Sequence, residues 1–198
     1  FPKRAGGEDF YLLNKLAKTG PVVRLAGACI ELDSRASSRV PFGTGPAVAR
    51  ISDAENPAEL ALFYHPASYA GLRGVLAATP LLQRTALAEL PQVLAGAGID
   101  PALAKACLLT LEQMGAAAAL AHCRRQGSSA TQFLRQFHQW FDAFRTLKFI
   151  HGIRDAGWAP CSLAGLNPLQ PALWPPGNTG EPASLGSVIA RHWGWQNR

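Results

Sequence analysis

The sequence predicts a short α/β segment followed by a mainly α-helical region, so that the chain is predominantly helical overall. An amphipathic helix pattern at residues 8–19 runs into an apolar, strand-like stretch at 22–32. From residue 56 onward the periodicity is helical almost throughout, and proline and glycine then crowd the stretch after Trp158. These patterns divide the chain into residues 1–55, the α/β part, and residues 56–198, a helical domain with a Pro/Gly-rich tail.

The first helix is expected at residues 8–19, with Phe10, Leu13, Leu16 and Ala17 on one face and Lys15 and Lys18 on the other. Glu8 and Asp9 in its first turn, lysines near its end and Gly20-Pro21 as a stop complement the helix dipole. Residues 22–32 read as a strand covered on one or both faces. A polar loop rich in Gly, Ser and Arg follows at 33–46. Asn56-Pro57 opens a helix expected to reach residue 64, and further helices are expected at 69–78 and 81–95, the latter broken or kinked at Pro91. Asp100-Pro101 opens the strongest helical signal, running to about residue 125. Ser128 or Ser129 caps one more, through about residue 155, in which Phe133, Phe137, Trp140, Phe141 and Phe144 form an aromatic stripe. That stripe reads as core. A short helix at 185–192 closes the pattern, and no internal repeat is present.

With 48% hydrophobic and 16% charged residues over 198 positions, the chain has the composition of a packed protein rather than a disordered one. Its longest apolar runs are alanine-rich and too short to span a bilayer. There is no charged start followed by an apolar run of the signal-peptide kind. No transmembrane segment and a cytoplasmic location are therefore expected. The net charge of +6 is unevenly placed: basic segments at 1–50 and 101–150 flank an acidic one at 51–100. That pattern suits an anionic ligand such as a phosphate or nucleotide. Nucleic acid is disfavoured, because no basic run exceeds Arg124-Arg125 and no nucleic-acid-binding motif is found. Cys29, Cys107, Cys123 and Cys161 form no C-x-x-C pair, so reduced thiols are expected rather than disulfides or a zinc site.

Two constellations stand out as candidate chemistry. Glu8-Asp9 lies at a helix start, where unpaired N–H groups and the positive dipole end favour carboxylates, and an Asp held there can take a proton from a bound hydroxyl. Acids at helix N-termini are also ordinary caps, so both readings stand. Arg35, Ser38, Arg39 and Gly43-Thr44-Gly45 form the second group: two arginines four apart can clamp a diphosphate that backbone N–H groups approach at the glycines. It is not a P-loop, since no Gly-Lys-Ser/Thr follows, and an ordinary surface loop has the same composition. Among the five histidines no metal-ligand spacing occurs; His151 is the one placed to orient an acceptor, although a structural role fits it too. Trp193 and Trp195 can stack on sugars or anchor the tail.

Residues 1–13, Phe-Pro-Lys-Arg-Ala-Gly-Gly-Glu-Asp-Phe-Tyr-Leu-Leu, resemble the later part of family 2 glycosyltransferases, which have a GT-A fold. The acid pair followed by Phe10 carries the resemblance, and the loop with Arg39, Phe42 and Gly43-Thr44-Gly45 is similar to a subgroup of the family. The resemblance implies that residues 1–55 are the C-terminal part of a GT-A catalytic domain. It implies that Asp9 is the catalytic base of an inverting transfer from a nucleotide sugar to a glycan or small-molecule acceptor, with Glu8 positioning that acceptor. It also implies a divalent metal, Mg or Mn, for the parent enzyme, with ligands outside this chain. The nucleotide-binding half with its Asp-x-Asp motif is missing, as is a Gln-x-x-Arg-Trp motif, so the chain is expected to be a fragment, inactive alone and prone to self-association through a strand edge. The competing reading is a non-catalytic helical module that binds a partner.

Overall fold

The computed structural model describes residues 7–20, 23, 36–37, 43–127 and 129–166. Among them nine α-helices and three short 3-10 turns occur, and the only extended pairing is an isolated antiparallel bridge between Phe63 and Cys161. The expected strand at 22–32 lies outside the described residues except for Val23, and the helix expected at 185–192 lies outside them entirely.

Helix α1 spans Glu8–Leu16 and α2 spans Thr44–Ser52. The second corrects the sequence reading, which places a loop through residue 46. Gly43 precedes α2 with φ of 94°, a conformation suited to glycine, and the helix begins one residue later. The helix expected from residue 57 to 64 shrinks to a 3-10 turn, Pro57–Glu59, capped by the Asn56 side chain. After it come α3 (Pro66–Ala78), α4 (Leu90–Gly96), α5 (Pro101–Gln113) and α6 (Ala116–Gln126). The chain continues with α7 (Ala130–Trp140), α8 (Ala143–Asp155) and a single turn, α9 (Leu163–Leu166). The region at 81–95 is two 3-10 turns leading into α4, with Pro91 in its first turn, where the missing N–H is harmless.

Two helices expected to be continuous are broken. Between α5 and α6, Gly115 takes φ of 80° and the chain bends by 74°. Between α7 and α8, Phe141 leaves helical geometry (ψ 65°), and Asp142 caps α8 by accepting from the Arg145 N–H at 3.0 Å. Phe144 is thereby moved off the aromatic stripe, onto the first turn of α8 and against Tyr11. Where the sequence supplies a strong cap, expectation and structure agree: Asp100 accepts from the Leu103 N–H at 3.0 Å and Ser129 from the Gln132 N–H at 3.2 Å.

The core is built from α3 to α8. Phe133, Phe137 and Phe149 are fully buried together with Val75, Leu90, Leu94, Leu111, Leu120 and Ile153. Phe137 stacks on Phe141, which meets Phe149 edge-on, so Phe133, Phe137 and Phe141 of the aromatic stripe are core, while Trp140 and Phe144 are half-buried. Each such buried ring contributes on the order of 2–3 kcal/mol. Cys107 and Cys123 are buried free thiols within this cluster. Arg124 ties the periphery to it, donating to the Leu82 and Thr85 carbonyls at 2.7 Å. Neither α1 nor α2 contributes a buried residue. No single helix among the described residues is long and apolar enough to cross a membrane.

Candidate functional site

The acid pair sits in the first turn of α1, directly after Gly7, whose φ of 78° turns the chain into the helix. Both Glu8 and Asp9 are exposed, and neither has a hydrogen-bond or ion-pair partner among the described residues. The first-turn N–H groups and the dipole make this a favourable place for negative charge.

What fixes α1 in space is Asp142, at the junction of α7 and α8. Its Oδ1 caps α8, while its Oδ2 accepts from Lys18 Nζ at 2.5 Å and from Asn14 Nδ2 at 3.2 Å. Asn14 reciprocates: its side-chain carbonyl accepts from the Ala143 N–H at 3.1 Å, so α1 satisfies another orphan donor at the start of α8. Tyr11 completes the contact against the Phe144 ring, with centroids 6.1 Å apart. Burial raises the Asp142 pKa, but hydrogen bonds from Lys18, the Arg145 N–H and Asn14, together with the Lys18 charge, outweigh it, and the carboxyl titrates below the ordinary aspartate range.

The docked side is therefore Tyr11 and Asn14 of α1 with Lys18 in the turn after it, not the apolar face the periodicity marks out. Leu13 and Leu16 on that apolar face are 63% and 53% exposed. The polar face wins the contact with the helical body because only it can serve the Asp142 carboxylate and the α8 N-terminus.

Gly43, Thr44 and Gly45 form the start of α2 rather than the middle of a loop. Gly45 has a packing reason to be glycine, since a Cβ there would lie 2.6 Å from the Ser37 carbonyl oxygen. Arg35, Ser38 and Arg39, expected to complete a diphosphate clamp, lie outside the described residues, as do Cys29, Trp193 and Trp195.

His151 has a partner that its sequence neighbourhood does not reveal. Its Nε2 lies 2.7 Å from the Tyr64 hydroxyl, and the rings pack with centroids 5.7 Å apart. The Phe63–Cys161 bridge holds Tyr64 there, with reciprocal N–H to carbonyl bonds of 3.1 and 2.8 Å. Burial pushes the His151 pKa down and the nearby Arg154 charge adds to this, opposed by Asp155. The neutral imidazole is thus favoured, and with Nδ1 carrying the proton Nε2 accepts from the phenol. Among the described residues no hydrogen bond or ion pair joins the acid pair, the start of α2 and His151 to one another.

No group of three His, Cys, Asp or Glu among the described residues is arranged to hold a metal ion. No protein family, curated protein or solved structure matches the chain.

Proposed function

We propose that this chain is the acceptor-side and C-terminal part of a GT-A glycosyltransferase, moving a sugar from a nucleotide-sugar donor to an acceptor hydroxyl with inversion. Asp9 acts as the base: as the acceptor oxygen attacks the anomeric carbon, its proton passes to the Asp9 carboxylate and the bond to the nucleotide phosphate breaks. Glu8, beside it in the same turn, positions the acceptor. The observation that supports this reading is the acid pair itself, exposed and unpaired among the described residues, at the start of a helix that Asn14 and Lys18 tether to the helical body. A base must be accessible to substrate and held in place, and α1 meets both conditions.

The exposed leucines support the same reading. A helix with no buried residue whose apolar face carries Leu13 and Leu16 is suited to a further layer, such as the sheet of an α/β catalytic domain. The remainder of that domain, its donor site and its metal belong to the parent enzyme in this proposal.

The test is Asp9→Asn in the full-length protein, assayed with a panel of nucleotide sugars. Loss of a positioned general base lowers the rate by about 10²- to 10⁴-fold while leaving the fold intact. Transfer at the wild-type rate by a folded Asp9→Asn protein refutes the assignment.

A further inference from the structure

Between α6 and α7 lies a groove of about 430 Å³, in the size range of small-molecule sites. One side is made of small residues, Gly115, Ala118 and Ala119, which share a helix face at three- and four-residue spacing and leave room above it. His122 continues that face. The opposite wall is Gln136, Gln139 and Trp140, again three and four residues apart. The side chains of His122, Gln136 and Gln139 make no hydrogen bond among the described residues, so their donors and acceptors are available to a ligand.

Trp140 is held rather than loose. Its indole packs against Phe137 and Phe141, with centroids 5.7 and 5.8 Å away, and the Arg145 guanidinium lies 5.1 Å from its ring centroid. Arg145 is itself fixed by a 2.8 Å bond to the Trp140 carbonyl. A rigid indole beside two planar amides and an imidazole, with no carboxylate, lysine or arginine lining the groove, selects against phosphates and other anions. It suits a neutral ring with an apolar C–H face and a hydroxyl rim.

We infer that the α6–α7 groove binds a neutral glycan, the pyranose ring lying on the Trp140 face opposite the Arg145 guanidinium while its hydroxyls bond to Gln136, Gln139 and His122. That this glycan is the acceptor rests on the transferase reading; that the groove binds a glycan does not.

The full-length protein is titrated with maltotetraose, cellotetraose and chitotetraose by calorimetry and by saturation-transfer NMR. Saturable binding of at least one is expected. Gln136→Ala and Gln139→Ala, each removing an amide that contacts the sugar, weaken it by about tenfold. Ala118→Leu fills the groove from an exposed position without touching the core and abolishes binding. Circular dichroism and the unfolding midpoint confirm that each variant is folded. Absence of saturable binding by all three glycans overturns the proposal, and so does binding that none of the variants alters. A protein contact that Ala118→Leu disrupts, without glycan binding, assigns the groove to a partner and overturns it too. The two readings fail separately: unchanged transfer by Asp9→Asn overturns the base assignment alone, and the glycan titrations of the wild type, Gln136→Ala, Gln139→Ala and Ala118→Leu decide the groove alone.

Discussion

Asp142→Ala is the perturbation that most directly probes how the acid pair is held. One carboxylate serves two purposes, capping α8 through Oδ1 and receiving Lys18 and Asn14 through Oδ2. Loss of an N-cap of this kind destabilises by about 1 kcal/mol. Asn14 Nδ2, in a half-buried setting, loses its acceptor for about 1 kcal/mol more. The Lys18 pair adds only a few tenths to about 1 kcal/mol, because the lysine side chain is 37% exposed and solvent screens it. The total expected is about 2–3 kcal/mol, read from urea unfolding at neutral pH. Asp142→Asn keeps the cap oxygen and is expected to lose roughly half as much. Since the folded carboxyl titrates below the ordinary range, the pair stabilises the protein above about pH 4 and the stabilisation is lost as pH falls through the lowered folded value. Asp142→Asn removes that part of the acid slope. Hydrogen exchange adds the spatial readout, with faster exchange across α1 in Asp142→Ala. A loss no larger than that of a lone cap, with α1 amides as protected as in the wild type, refutes the tether.

Three further outcomes follow from the packing and the titrating groups. Gly152→Ala puts a Cβ into the side chain of buried Thr110, across the α5–α8 contact, and lowers stability by about 1–3 kcal/mol despite the better helix propensity of alanine; a higher melting temperature refutes the close approach. Burial pushes the Cys107 thiol up to about 12, so iodoacetamide at pH 8 labels Cys107 in the native protein far more slowly than the half-buried Cys161; equal rates by peptide mass spectrometry contradict the core placement. Because burial and Arg154 lower the His151 pKa, stability from this site is full above about pH 6.5 and declines as pH falls below it. An NMR midpoint for His151 at or above that value refutes this, and Tyr64→Phe is expected to lose about 0.5–1.5 kcal/mol.

Local signals in the sequence were legible where one residue decides one event. Asp100 is a cap in the sequence and in the structure, Ser129 is the capping residue of the two serines offered at 128 and 129, and Asn56 caps a 3-10 turn in place of the longer helix. The breaks were not, because periodicity runs straight across them. Phe133, Phe137 and Phe141 keep helical spacing through the end of α7, and Asp142 keeps the same spacing with His138 and Arg145. Only the three-dimensional contact shows that Asp142 starts a new helix and receives α1. At the other break Gly115 sits within an alanine-rich stretch of high helix propensity, which hides the turn it makes. The Tyr64–His151 pair was out of reach for a plainer reason. The partners are 87 residues apart, and the Phe63–Cys161 bridge that aligns them leaves no periodic trace.

The two faces of α1 give the transferase reading a consequence that separates chemistry from folding. Asp9 is exposed and unpaired among the described residues, so Asp9→Asn removes a carboxylate without removing a structural contact there. Asp142 lies at the other end of the same mechanical connection, bonded to Asn14 of α1 and to Lys18 just after it. If Asp9 is the base, Asp142→Ala lowers both stability and transfer, while Asp9→Asn lowers transfer alone. A protein in which neither variant alters transfer does its chemistry elsewhere, and the acid pair then does no more than complement the α1 dipole. A protein in which Asp142→Ala alone slows transfer uses α1 as a support and takes its base from another element. The pattern across the two variants identifies what α1 does in a way that neither variant can alone.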